Sequence, residues 1–280
     1  MILRLLVIAL ALFTAGAAPA SPALLELQDK PAQGTLVRAQ TVPGARVWLG
    51  DQPLPVSPQG RFLFGFGRDA SGEARLRLEL PGGKTLIRRL SIAPRDYQVQ
   101  RIDGLPPSKV TPPPEVLERI REEARAVRRA RAQRRDRADF ESGWIWPVLG
   151  PITGVYGSQR ILNGEPRRPH FGVDIAAAVG TPVRAPADGV VTLAHPDMYF
   201  SGGTLVIDHG HGLSSSFLHL HRILVEEGDR ILAGDAVAEV GASGRVTGAH
   251  LDWRMNWQGA RVDPTVLVPP MEQARAAASD

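Results

Sequence analysis

Apolar and polar positions alternate along most of this chain, which is the pattern of half-buried β-strands. In the first third, TLVRAQ, ARVWLG, RFLFGFG, ARLRLEL and TLIRRLSI alternate in this way, and turn-rich segments such as SPQG, RDASGE and LPGGK separate them. Several short strands at this spacing predict a small antiparallel β-sandwich over residues 21–104. Because no cluster of His, Asp or Glu occurs there, we expect a noncatalytic module that positions or binds.

The spacing of apolar positions changes after the proline cluster GLPPSKVTPPP. This cluster is unfavourable in the interior of a helix or sheet and therefore marks a boundary. Thr111 can cap and Pro114 can open a helix through EVLERIREEARAVRRARAQRRDRADF. We predict a Pro-rich and Arg-rich helical linker over residues 105–142. Towards the C-terminal end of this helix arginines replace the apolar residues, so we expect packing only at its start. The apolar positions are Val116, Leu117, Ile120, Ala124 and Val127. The basic end is either a solvated face or a contact with an anionic wall or membrane surface.

Strand-like segments return from residue 143. WIWPVLGPITGVYGS, GGTLVIDHG, SSSFLHLHRIL and AHLDWRMNW are separated by Gly, Pro and Asp, and no strong helical period occurs among them. The sequence therefore predicts a second β domain over residues 143–268, followed by a polar tail over residues 269–280. The predicted fold class is all-β, with a charged helical linker between the two β domains.

The first twenty residues, MILRLLVIALALFTAGAAPA, have the pattern of a secretory signal peptide. Ala18 to Ala20 form an A-x-A cleavage site, and Ser21 would begin the mature chain. The apolar core, Leu5 to Phe13, is shorter than the roughly 20 residues that a membrane span needs. We therefore expect an exported protein of the periplasm or cell envelope, with no transmembrane segment after signal removal.

Charge and cysteine content narrow the classes of protein further. The formal net charge is +4, and much of it lies in the linker, so a general nucleic-acid surface is not indicated. The chain has no cysteine, which excludes both a disulfide framework and lipid attachment through an N-terminal cysteine.

The 7 histidines all lie between residues 170 and 250. His170 and Asp174 are four residues apart around a glycine, where a bend would bring their side chains together. His250 and Asp252 would share one face of a strand. In FLHLHR the leucines would face a core, and the two histidines would share the opposite, more open face.

Three separated strands that each offer imidazole or carboxylate suggest a catalytic metal site, because catalytic zinc takes three protein ligands and leaves the fourth position for water. Each element taken alone could instead be an ordinary strand-edge or surface group. A biotinyl or lipoyl carrier is the competing all-β reading, since VRAPADGVV and VEEGDRILAGDAVAEVG look like the halves of its barrel. The carrier needs a lysine there, but the last lysine is Lys109, which excludes the function while leaving the related barrel fold open.

Five ordered motifs resemble the lysostaphin-type, or LytM-like, zinc metallopeptidases that cut peptidoglycan cross-links. They are HFGVD at 170–174, GTPVRAPADGVV at 180–191, IDHG at 207–210, FLHL at 217–220 and TGAHLD at 247–252. The resemblance covers about residues 145–268. It implies an antiparallel β domain of the lysostaphin type, a zinc cofactor, and a peptidoglycan peptide as substrate.

Transferred position by position, the resemblance implies that His170 and Asp174 bind zinc, that His219 is an active-site histidine, and that His250 is the base. His221, one residue beyond FLHL, inherits no role, and a structural part is expected for His209. Asp252 departs from the family, which has histidine as third ligand. A carboxylate can bind zinc, yet a set of one His and two Asp is harder and would admit manganese or another divalent ion.

Three functions remain open on these residues. The first is a metal-dependent endopeptidase that hydrolyses peptidoglycan cross-links, with His170, Asp174 and Asp252 as ligands. The second is a degenerate relative that activates or scaffolds other cell-wall hydrolases, and the third is an adhesin or scaffold that binds peptidoglycan through its N-terminal sandwich. The N-terminal module would present the domain to the wall, cover its groove, or bind an envelope protein partner.

Overall fold

The computed structural model of this chain describes residues 24–104 and 112–279. The predicted signal peptide, the Thr111 cap and most of the proline cluster lie outside these residues. Strands dominate the described chain, and the prediction of an all-β fold is confirmed. No helix among the described residues has the length and apolar character needed to cross a bilayer.

The N-terminal strands form two sheets whose alternate side chains face each other. One sheet has the order β1-β2-β5, and the other has the order β4-β3-β6-β7. In β6, Leu76 and Leu78 are buried while Arg75 and Arg77 point away from the core, as alternation requires. The strands are β1 Leu25–Leu27, β2 Leu36–Thr41, β3 Arg46–Leu49, β4 Gln52–Leu54, β5 Arg61–Gly65, β6 Glu73–Glu79, β7 Thr85–Ser91 and β8 Val99–Ile102.

Most of the C-terminal strands form one large antiparallel sheet, whereas β10 and β11 form a separate sheet with β8. The main path of the large sheet is β17-β14-β15-β16-β19-β12-β9; β18 pairs with β13 and β16, and β20 pairs with β19. The strands are β9 Ile152–Gly154, β10 Gln159–Leu162, β11 Glu165–Pro166, β12 Val173–Ala176, β13 Pro182–Arg184, β14 Gly189–Met198, β15 Gly202–Asp208, β16 Leu213–Ile223, β17 Arg230–Ile231, β18 Ala236–Val240, β19 His250–Trp257 and β20 Ala260–Val262.

The two sets of strands share one hydrophobic core. Phe62 and Phe64 of the N-terminal sheets belong to the same buried cluster as Trp253 and Trp257 of β19. Strand β8 also leaves the N-terminal sheets and pairs in parallel with β10. The domain boundaries predicted from the sequence stay a prediction, but the contact between the two halves is extensive.

Two α-helices accompany the sheets in the described residues: α1, Leu117–Arg131, and α2, Met271–Ala277. Helix α2 lies within the segment that was expected to be only a polar tail. Three 3₁₀ turns, Pro114–Val116, Asp139–Glu141 and Pro264–Leu267, complete the regular structure.

Helix α1 corrects the expectation that the linker packs only at its start. Leu117, at its first turn, is exposed, whereas Ala130, at its last turn, is buried. Ala126, Val127 and Ala130 pack on a small apolar cluster of β14 and β15, which consists of Leu193, Met198 and Val206. The alanines among the arginines provide the close contact, because they let the helix approach the sheet while the long side chains extend around it.

Candidate metal and proton-transfer site

Strand β19 separates a core face from a polar face. Its register with β12 and β16 places Asp252 opposite Asp174 on one side and opposite Leu218 on the other. Because side chains alternate, the residues between them enter the core. The core residues are Leu251, Trp253, Met255 and Trp257, and the polar face carries His250, Asp252, Arg254 and Asn256.

His170 and Asp174 meet Asp252 on this polar face. The chain bends at Gly172 immediately before β12, as the sequence suggested, and His170 Nε2 lies 3.0 Å from Asp174 Oδ1. A Cβ at Gly172 would lie 2.5 Å from Asp252 Oδ1, so only glycine allows this approach. One ligand atom from each of His170, Asp174 and Asp252 lies within 4.8 Å of the others.

Two of the atoms that a metal would use make no hydrogen bond within the described part of the chain. His170 Nε2 and Asp174 Oδ1 are buried and have no hydrogen-bond partner among the described residues. Leaving such atoms unpaired is costly, and a bound cation would satisfy both of them. The set of one imidazole and two carboxylates therefore fits a divalent ion in its donor types.

Two arginines hold the remaining oxygens of the group. Arg254 donates from Nε to both oxygens of Asp252, at 2.9 and 3.1 Å, and Arg160 donates to Asp174 Oδ2 at 3.0 Å. Burial raises the pKa of Asp252, but the charge of Arg254 and the other nearby groups outweigh burial and hold that pKa well below its usual range. A carboxylate has about four lone-pair positions, so the Arg254 contacts leave acceptor capacity on Asp252.

His219 and His250 lie side by side, with ring centroids 5.0 Å apart. His219 Nδ1 lies 2.9 Å from the carbonyl of Ser243, and His250 Nδ1 lies 2.9 Å from the carbonyl of Gly248. A carbonyl accepts but cannot donate, so each Nδ1 carries the proton and each Nε2 keeps a lone pair. His250 Nε2 is 3.8 Å from Asp174 Oδ1, which places its lone pair beside the metal-ligand group.

A backbone irregularity determines where His219 points. His219 has a left-handed φ of 66°, and the pairing of β16 with its neighbours shifts register close to it. Its amide donates to the carbonyl of Ser201. The residue is therefore buried while His221 is exposed. The expectation that these two histidines share one open face is wrong, because a bulge interrupts the two-residue period.

The other histidines lie apart from this group. His209 is fully buried between the carbonyl of Asp188, 2.6 Å from Nδ1, and the hydroxyl of Ser215, 2.8 Å from Nε2. Burial lowers the pKa of His209 to about 4, which keeps it neutral. His211 packs against Phe140, at a ring distance of 5.0 Å.

Sequence reasoning missed both arginines. Arg254 had a detectable signal, because it stands two residues after Asp252 on the same strand face. Arg160 had none, since it comes from the β10–β11 hairpin through a contact that no local pattern records.

Parts of this chain are similar to known proteins. Residues 168–264 match the model of peptidase family M23. The lipoprotein NlpD/LppB homolog of Pseudomonas aeruginosa is 33% identical over 127 residues, which are 45% of this chain and 40% of that protein. The peptidoglycan DD-endopeptidase ShyA of Vibrio cholerae is 37% identical over 120 residues, 39% of this chain and 27% of that protein.

A crystal structure from Pseudomonas aeruginosa assigned to peptidase M23 covers more of the chain. It superposes with a TM-score of 0.67 and 28% identity over 85% of this chain and 95% of that one. The chain spans less than half the length of the two curated relatives, so the similarity covers only part of each of those proteins. The similarity to peptidase family M23 therefore lies in residues 168–264, which contain the candidate metal ligands.

Proposed function

We propose that this protein is a metal-dependent endopeptidase that hydrolyses peptide cross-links of cell-wall peptidoglycan. The observation that carries the proposal is the convergence of His170, Asp174 and Asp252 on one point, with His250 beside them. The relatedness to a peptidoglycan DD-endopeptidase supports the choice of substrate. Such a substrate requires export to the periplasm or envelope, in agreement with the signal-peptide pattern of residues 1–20.

His170, Asp174 and Asp252 would hold the ion. Zinc is the first candidate, because the motifs of this chain resemble those of zinc metallopeptidases. A divalent ion there would polarise the scissile carbonyl and lower the pKa of a nearby water. His250 is placed to accept the proton of that water, because its Nε2 lone pair faces the ligand group while its Nδ1 is held by Gly248.

His219 would orient the water beside His250. Burial lowers the pKa of His219 to about 4, so the ring is neutral near pH 7. With the proton on Nδ1, its Nε2 accepts a hydrogen bond and does not donate one. The protonation of His219 therefore favours a role in orienting the water over a role in stabilising an oxyanion.

The test is metal content and release of soluble muropeptides by the purified full chain. We expect about one divalent ion per chain, and a loss of roughly 10²- to 10⁴-fold in release for His250→Ala. Asp252→Ala should lose both metal and activity, and Asp252→His should keep or raise zinc occupancy. His221→Ala is the matched control, since His221 is exposed and stands outside the group.

Absence of stoichiometric metal, with His250→Ala and Asp252→Ala equal to the unmodified protein, would contradict the proposal. That outcome would instead agree with a protein that activates or scaffolds other hydrolases. The envelope partner expected for the N-terminal module stays a prediction.

A further inference from the structure

A cleft with several arginines lies beyond the candidate metal site, between the end of helix α1 and strands β19 and β20. Its volume is about 490 Å³, and no acidic residue lines it. We call it the arginine cleft and define it by its charged and amide-bearing residues, which are Arg128, Arg131, Gln133, Arg134, Asn256, Gln258 and Arg261.

Two buried donors of the cleft have no acceptor. Asn256 is only 3% exposed, and its Nδ2 has no hydrogen-bond partner among the described residues. The same holds for Nη1 of Arg261. Arg131 donates to the hydroxyl of Ser216 at 2.9 and 3.2 Å, which is an uncharged acceptor. Buried donors left unsatisfied in this way are costly and mark a place for an acceptor.

The lining of the cleft carries positive charge and no negative charge. Burial lowers the pKa of Arg131 well below its usual range, and the neighbouring charges of Arg261 and Arg254 lower it further. Burial likewise lowers the pKa of Arg261 to about 10, again with Arg254 contributing. Among the described residues neither Arg131 nor Arg261 forms an ion pair with a carboxylate, and Asp252 is already paired with Arg254. An oxyanion would supply such a partner.

The arginine cleft continues the polar face that carries the metal-ligand group. Asn256 stands four residues after Asp252 on the same face of β19, a separation of about 13 Å along a strand. Arg261 reaches the same face, since it pairs with Asn256 across β19 and β20. An extended peptide covers this distance with about four residues.

We propose that the arginine cleft binds a carboxylate of the peptide substrate, about four residues from the bond that is cut. The proposal rests on the proposed peptidase function. Guanidinium groups bind carboxylates through paired, charge-assisted hydrogen bonds, and the free Asn256 amide supplies a further donor. The cleft thereby selects acidic peptides and sets their direction along the strand face.

The test is equilibrium binding of a synthetic octapeptide of alanine and glycine with blocked termini and one internal glutamate, compared with the same peptide in which that side chain is amidated to glutamine. The full chain carrying His250→Ala is used, and mass spectrometry verifies that the peptide stays intact. We expect the acidic form to bind roughly tenfold or more tightly than the amidated form, and the difference to shrink with salt.

Arg131→Gln and Arg261→Gln should each abolish the preference for the acidic peptide. Arg121→Gln is the matched control, because Arg121 lies on the same helix, is exposed and pairs with Glu118. Arg128 and Arg134 are exposed, so the double variant R128Q/R134Q keeps the test valid if an inner variant does not fold.

Equal binding of the two peptides, or a preference that survives in the folded cleft variants, would overturn the proposal. Inorganic phosphate is titrated in parallel. If phosphate binds in an Arg131-dependent way and the peptides do not differ, the cleft holds phosphate and the proposal is wrong. Binding of the acidic peptide to the His250→Ala chain, together with no muropeptide release by the unmodified full chain, would support the cleft while refuting the peptidase, so the two failures are distinguishable.

Discussion

In the candidate site, the buried carboxylate of Asp252 is paired with Arg254. A carboxylate with no exposure is tolerated in a folded protein only with a partner, and the guanidinium of Arg254 provides one. The same guanidinium lies close to where a cation would bind. It therefore stabilises the metal-free site and competes with the metal for the Asp252 oxygens.

We predict that Arg254→Gln binds a divalent ion more tightly, by roughly tenfold or more. The substitution removes a positive charge beside the ligand Asp252, and with it a repulsion of the cation on the order of a few kcal/mol. Competition with a chromophoric chelator measures the affinity for Zn²⁺ and Mn²⁺. Arg222→Gln is the control, because Arg222 pairs with Glu239 on the surface. Equal or weaker affinity in Arg254→Gln would mean that Arg254 positions Asp252 for the metal.

His209 should make the protein sensitive to acid. Its pKa is about 4 in the folded chain against an ordinary 6.5, so the unfolded chain binds the proton first as pH falls. The contribution of His209 to the free energy of unfolding is therefore fully present above pH 6.5 and is lost as pH falls towards 4. The loss from this residue is on the order of 3 kcal/mol.

Urea unfolding at several pH values between 4 and 7 measures the effect. His209→Gln should show a shallower loss of unfolding free energy with acid than the unmodified chain, whereas His221→Gln, at an exposed position, should keep the full slope. A slope unchanged in His209→Gln would show that His209 is not the group that titrates.

At the scale of elements, helix α1 supports the loop that positions His219. Glu123 accepts a hydrogen bond from the amide of Tyr199 at 2.9 Å, and Arg119 forms an ion pair with Asp197 at 3.0 Å. Ser201, two residues beyond Tyr199, accepts from the His219 amide. The linker is therefore part of the framework around the site.

Replacing Ala130 with Glu should detach the end of this helix, because a charge would enter the apolar contact with β14 and β15. We expect a loss of about 2 kcal/mol or more and faster hydrogen exchange along α1. Hydrogen–deuterium exchange followed by mass spectrometry checks this. Arg129→Glu makes the larger charge change at the adjacent exposed position, and it should leave exchange nearly unchanged; equal acceleration in both variants would contradict the packing.

Local patterns predicted strand β19 and the helical linker, because their periods of two and 3.6 residues are determined within each segment. The local patterns also identified candidate site residues, namely His170, Asp174, Asp252, His219 and His250. They could not give the bulge at His219, which depends on how β16 pairs with two neighbours. Nor could they give the burial of α1 at its arginine-rich end, since that contact requires the apolar cluster of a separate hairpin.

At the scale of the whole molecule, the two halves meet in a close fit around Gly65. A Cβ on Gly65 would lie 2.9 Å from Val262 Cγ1 and 3.4 Å from the ring of Trp257. Asp263 adds polar contacts nearby, because its amide donates to Gly34 and its carboxylate pairs with Arg95. The N-terminal module is thereby fixed against β19 and β20.

Gly65→Ala should lower the free energy of unfolding by about 1 to 3 kcal/mol, since it overpacks this contact. Gly67→Ala is the control, because a Cβ there meets nothing within 4 Å; its effect should stay within about 1 kcal/mol and favour folding. Thermal and urea unfolding report both. Equal stability of the two variants would show that the halves do not pack through Gly65.

The parallel pairing of β8 with β10 has a consequence for the integrity of the protein. The two strands belong to stretches of chain on opposite sides of helix α1, yet they are hydrogen-bonded to each other. A protease that cut the backbone between β8 and α1 would leave two fragments joined by a β-ladder, by the salt bridges Arg61–Glu141 and Arg95–Asp263, and by a common core. The nicked protein should therefore migrate as one species until denatured, and separately produced fragments should complement one another.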